Sequence, residues 1–178
     1  MTMAADSITN SWLNATLVGA YLALFGTLLT IAVNGYIARR SRRRDQFAQA
    51  LAVVVEYWEF PYVVRRRRHD EPAAERVRIS EELRDVQRRL AFHQAWIRTE
   101  SRHVASIYDE LVVATRTIIG GQIREAWAGS AITEDSEMNI SSVSFDGLGE
   151  IQERFLQVVV AELSPRPMWL TRKKRART

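Results

Sequence analysis

Glu100, Ser101, Arg102 and His103 spell Glu-x-x-His, the helical spacing that sets a carboxylate and an imidazole side by side as ligands of carboxylate-bridged di-iron centres. That chemistry needs two such pairs and two more Glu from facing helices. The chain has one copy, in a stretch that reads as a turn. His93 falls in an apolar row and reads as a hydrogen-bonded core residue, and His69 reads as exposed. The densest acidic and aromatic cluster is Glu56, Tyr57, Trp58, Glu59, Phe60 and Tyr62. A small-molecule site would sit there, although large rings near a helix end more commonly fill a core. Ser, His and Asp all occur, but a triad is defined by geometry and not by co-occurrence. No Gly-rich phosphate loop, nucleophile elbow or paired-His zinc motif is present. Without Cys there is neither disulfide nor thiolate chemistry. The expectation is therefore no catalytic residue, no metal and no cofactor.

The element that dominates the chain is Trp12 to Ala38, twenty-seven residues without a charge. As a helix this run is about 40 Å long, enough to cross a hydrocarbon layer of about 30 Å. Trp12 and Tyr36 lie near its two ends, where amphipathic rings favour the interfaces. Arg39, Arg40, Arg42, Arg43 and Arg44 follow at once, while Asp6 is the only charged side chain before it. The positive-inside rule then sets the N-terminus outside and the remainder in the cytoplasm of a plasma-membrane protein. A cleaved signal peptide fits less well, because the apolar run is too long and no basic segment precedes it. Gly19, Ala23, Gly26 and Thr30, with Asn34, recur every three or four residues, so one face of the span is small or polar. Two helices approach closely along such a face, and a homodimer is one outcome. The plain alternative is that Gly, Ala and Thr are common in membrane helices anyway.

A sequence pI near 9.8 raises nucleic-acid binding, but the charge is unevenly spread. Residues 45–164 hold fourteen Lys or Arg against twenty Asp or Glu, a net of −6. The basicity lies in residues 39–44 and in 165–178, which has six cations and no acid. In the tail Trp169, between Met168 and Leu170, stands just before Arg172, Lys173, Lys174 and Arg175. An apolar triplet beside cations suits an anionic inner leaflet, so the first expected partner is the bilayer. Nucleic-acid binding by the tail is the weaker alternative.

Between these flanks the apolar residues follow helical spacing. Phe47, Leu51, Val54 and Trp58 form one stripe; Ile79, Leu83, Val86, Leu90, His93 and Ile97 form a bundle-type seam. Val104, Ile107, Tyr108, Leu111, Val112, Thr115, Ile118 and Ile119 form a third row, and Leu148, Ile151, Phe155, Val158, Val159 and Leu163 a fourth. The phase of the second and third rows agrees, leaving either a turn at 99–102 or one kinked helix. Asp70 or Glu71 is expected to cap the helix that Pro72 opens. Arg65 to Arg68 reads either as a solvated helix end or as a lipid contact. Gly120 and Gly121 are expected to weaken the third helix near its end, with a final turn or two beyond them.

These rows predict an all-α protein, a single N-terminal transmembrane helix followed by a cytoplasmic bundle of about four helices. The expected segments are an external N-terminus at 1–11, the span at 12–38, a basic juxtamembrane segment at 39–44, the bundle at 45–164 and a basic tail at 165–178. The favoured function is a non-enzymatic interaction, scaffold or regulatory module with a further protein partner whose identity one chain does not disclose. The alternative is an enzyme or small-ligand receptor with its site near Glu56 to Tyr62.

Overall fold

The structure, a computed structural model, describes residues 3–134, 137 and 143–164, with side chains from Ala20 onward. The protein is all-α, and the described residues include no strand. Helices α1 (Met3–Trp58), α2 (Phe60–Arg65), α3 (Pro72–Glu100), α4 (Arg102–Ala128) and α5 (Leu148–Leu163) follow one another. The chain divides into two compact units, Met1–Arg44 and Asp45–Thr178.

From Met3 on, the first unit is helical because neither Pro nor a turn cluster interrupts it. From Ala20 to Arg42 every side chain is exposed. The hydroxyls of Thr27 and Thr30 donate to the carbonyls of Ala23 and Gly26 at 2.9 and 2.8 Å, so both are satisfied within their own helix.

In the second unit α4 is the central helix, packed against α2, α3 and α5. Its buried phenol, Tyr108, donates to the carbonyl of Ala50 at 3.1 Å, and Trp58 donates its indole N–H to the hydroxyl of buried Thr115, also at 3.1 Å. Both numbers rise together, so α4 runs parallel to the end of α1. On α3 the Trp96 ring meets Phe47 edge-on at 5.3 Å, while Arg89 forks onto Glu56 at 2.7 and 2.5 Å. That helix is therefore antiparallel to the same end of α1. Phe155 lies 5.5 Å from Tyr108 and Arg154 pairs with Glu110, which makes α5 antiparallel to α4.

Each expected row is buried or half-buried: Phe47, Val54, Ile79, Val86, Leu90, Ile97, Tyr108, Leu111 and Phe155 are almost wholly inaccessible. Each of the three rings among them buries about 150–250 Å², beside a larger number of aliphatic side chains. Residues 73–128 form two helices, not one. Ser101 adopts an extended backbone (φ −157°, ψ 117°) and its hydroxyl accepts from the Val104 amide at 3.4 Å, ending α3 and capping α4. Capping at 70–71 differs from expectation, since Glu71 is the N-cap residue without a side-chain cap bond. Asp70 instead takes two hydrogen bonds from Arg68, at 3.3 and 3.0 Å. The pair Gly120–Gly121 does not end α4, which continues to Ala128. Buried Ile119, Ile123 and Ala126 flank the glycines, and packing outweighs a propensity deficit of about 1 kcal/mol per Gly.

Candidate functional site

The Glu-x-x-His residues are divided by the Ser101 cap: Glu100 closes α3 and exposed His103 lies in the first turn of α4. The two side chains therefore lack the shared helical face that metal ligation requires. Among the described residues no group of three or more His, Asp or Glu converges as a metal site.

His93 is buried, 5% exposed, with its Nδ1 unpartnered and its ring edge-on to Phe92 at 5.3 Å. Burial, and secondarily the Arg89 charge, lowers its pKa. The expectation of a core histidine holds, while that of a hydrogen-bonded one is not met at Nδ1 among the described residues. A histidine neutral when folded contributes stability above its unfolded pKa of about 6.5, because below that value the unfolded chain takes up the proton first. The melting temperature should accordingly fall as pH drops from about 7.5 to about 5.5, and His93→Leu should flatten that fall. Parallel pH dependences in the two proteins would show that other groups cause it.

The Glu56 to Tyr62 cluster sorts into two faces. Tyr57 and Phe60 are buried, and Trp58 and Tyr62 pack on Phe145 at 5.6 and 6.5 Å. Glu56 and Glu59 point outward, Glu56 into the fork of Arg89. Asp85 receives Arg89 as well, at 2.9 Å. Such half-exposed pairs contribute at most about 1 kcal/mol. Just beyond the cluster, Pro61, Arg65, Gln122, Glu125, Ala126 and Val143 line a half-open groove of about 150 Å³. Pockets for drug-sized ligands hold roughly 300–1,000 Å³. Arg65 Nε and Gln122 Oε1 are buried there without a hydrogen-bond partner among the described residues.

The run Arg65 to Arg68 is not uniformly solvated: Arg65 and Arg67 are half-buried, Arg66 and Arg68 exposed. Arg67 donates to the carbonyls of Val64 and Ala126 at 2.9 Å each and of Gly129 at 2.5 Å, and lies 5.1 Å over the Trp127 ring. It closes the C-terminal end of α4, where carbonyls lack intrahelical partners. Nothing in the sequence points to this clamp, because its partners are about sixty residues away. Arg68, facing Asp70, is a solvated member.

On α1 the face of Ala23, Gly26 and Thr30 is exposed, and a Cβ added at Gly26 would meet nothing. Gly19 itself lies outside the residues whose side chains are described. Leu22 and Phe25 are each 67% exposed and Ile31 63%, in an apolar stretch far larger than the isolated patches a soluble monomer tolerates. Arg39, Arg40, Arg42 and Arg44 are exposed, whereas Arg43 is half-buried and has a partner. Trp169, Arg172, Lys173, Lys174 and Arg175 lie outside the described residues.

Fold and surface define a class: an all-α protein with a filled helical bundle and, among its described residues, one helix long and apolar enough to cross a membrane. Comparison with protein-family models, with curated proteins and with solved structures finds no match.

Proposed function

We propose that the chain is a single-pass membrane protein, N-terminus outside, whose cytoplasmic bundle acts as an interaction, scaffold or regulatory module. The observation that carries this reading is the bare apolar stretch of α1, followed directly by five Arg. A helix with that surface is stable in lipid and not in water, and the Arg side is retained in the cytoplasm. Among its described residues the second unit has no such bare stretch and is packed with large side chains, which favours a binding module over a catalyst. The small groove beside Pro61 favours a small-ligand receptor instead.

A reporter fused after Thr178 is expected to be active only in the cytoplasm, and replacing Arg39, Arg40, Arg42, Arg43 and Arg44 with Ala should yield mixed orientation. Activity of that terminus outside intact cells would refute the assignment.

The face of Gly19, Ala23, Gly26 and Thr30 pairs the span with a second copy in this reading. Since Thr30 is satisfied by its own helix, pairing rests on close backbone approach more than on its hydroxyl. Gly19→Ile with Ala23→Ile should lower self-association in membranes, measured by energy transfer between labelled copies; unchanged transfer would remove the role of this face. Crosslinking in intact membranes is the route to the further protein partner.

A further inference from the structure

We infer that the groove between α2 and α4 binds a small α-amino acid, its carboxylate facing Arg65 and its ammonium facing Gln122 and Glu125. The site lies wholly within the second unit and does not depend on the anchoring reading above. Its two walls have opposite polarity. Pro61 and Arg65 are one turn apart on α2, so that wall presents a guanidinium, which only donates hydrogen bonds. Gln122, Glu125 and Ala126 share one face of α4 by their spacing of three and four. The Gln122 Nε2 donates to the carbonyl of Ser144, which leaves Oε1, an acceptor, as the free end of the amide. Glu125 adds a carboxylate at the exposed rim. A lone anion in this groove meets the acceptors of α4, and a lone cation meets Arg65. A molecule that carries both charges on neighbouring atoms suits both walls.

Two further observations point to an occupant. Arg65 Nε and Gln122 Oε1, one a donor and the other an acceptor, are covered and without a hydrogen-bond partner among the described residues. Such orphaned groups are costly. A ligand that draws the two side-chain heads round into the groove gives the first a carboxylate and the second an N–H, so occupancy itself favours the turned conformation. The other observation is Gly129, where an added Cβ would stand 2.5 Å from Arg65 Nη1. The backbone there is ordinary extended chain (φ −78°, ψ 163°), so its conformation does not demand glycine. What the glycine supplies is room for the guanidinium. Three residues on, the Ile132 amide donates to the Arg65 carbonyl at 2.9 Å, which ties the loop after α4 to this end of α2. The volume, about 150 Å³, is the share of about five waters at about 30 Å³ each. That suits an amino acid with a small side chain, for which buried Pro61 and Ala126 offer apolar surface.

The test uses the full-length protein in detergent micelles and three probes of one shape: L-alanine, propionate, which lacks the ammonium, and ethylamine, which lacks the carboxylate. Saturation transfer from the protein to the methyl protons of each probe reports binding. The expected result is saturable binding of L-alanine, about tenfold or more tighter than that of either other probe, the worth of one charged hydrogen bond. Gly129→Ala, which displaces the Arg65 head, and Glu125→Gln should each weaken it by a similar factor while the melting temperature stays close to the parent's. Glu125 is exposed, so its variant folds and decides the matter even where Gly129→Ala lowers stability. Propionate binding as tightly as L-alanine would make this a simple anion site and overturn the inference. No binding of L-alanine at millimolar concentration would leave the groove to water, and binding unchanged in both variants would place the ligand elsewhere; either result overturns it as well. Failure of the anchoring reading would alter none of these outcomes.

Discussion

Leu90→Asp is expected to unfold the bundle while α1 keeps its apolar helix in the membrane. Leu90 is wholly inaccessible on the seam of α3, between buried Val86 and His93. The adjacent Arg89 is already shared by Glu56 and Asp85. A carboxylate at this position would be buried without a partner, at a cost of several kcal/mol, against a total stability of about 5–15 kcal/mol for a domain. Limited proteolysis of the membrane-embedded protein gives the readout: residues 45–164 should be cleaved rapidly in the variant and resist in the parent. Leu90→Met, which keeps volume and apolar character, should cost less than about 1.5 kcal/mol and remain resistant. A protease-resistant Leu90→Asp protein would mean that this seam is not where the bundle is held.

Arg67→Ala should remove about 2–3 kcal/mol, an unusual loss for a half-buried cation. Hydrogen bonds to a charged donor contribute about 1.5–3 kcal/mol and stacking on a ring about 0.5–1 kcal/mol. In this protein one guanidinium joins three carbonyls from two separate stretches of chain and covers Trp127. The loss should appear first as faster amide exchange through Ala126 to Gly129, and then as a lower denaturant midpoint. Arg67→Lys should not restore it, because a compact ammonium lacks the planar fork that reaches several acceptors at once. Arg68→Ala should leave the midpoint unchanged, its partner Asp70 being as exposed as itself. Equal effects at 67 and 68 would show that general positive charge, not the clamp, is responsible.

Much of this architecture is written in local spacing. An apolar residue every three or four positions specifies both a helix and its buried face, and the rows at 79–97, 104–119 and 148–163 face the core as their phase requires. The uncharged run and its five Arg are likewise local features, because transfer from water to lipid depends on composition and length more than on partners. The turn expected at 99–102 is such a local feature too, since the capping hydroxyl of Ser101 supplies it, and what the sequence left open, one kinked helix or two, is decided by the extended backbone at that residue. Where residues distant in sequence decide the outcome, local spacing carries no signal. The Glu56 to Tyr62 cluster is one block in sequence, but Arg89 on one side and Phe145 on the other sort it into surface and core. Arg65, Arg66, Arg67 and Arg68 are identical in type. The end of α4, brought back beside them after about sixty residues, makes Arg67 a structural clamp and leaves Arg68 in solvent. Helical identity is thus settled by the periodicity of neighbours, which the chain carries with it, whereas the roles of its charged groups are settled by burial against distant segments, which exists only after folding.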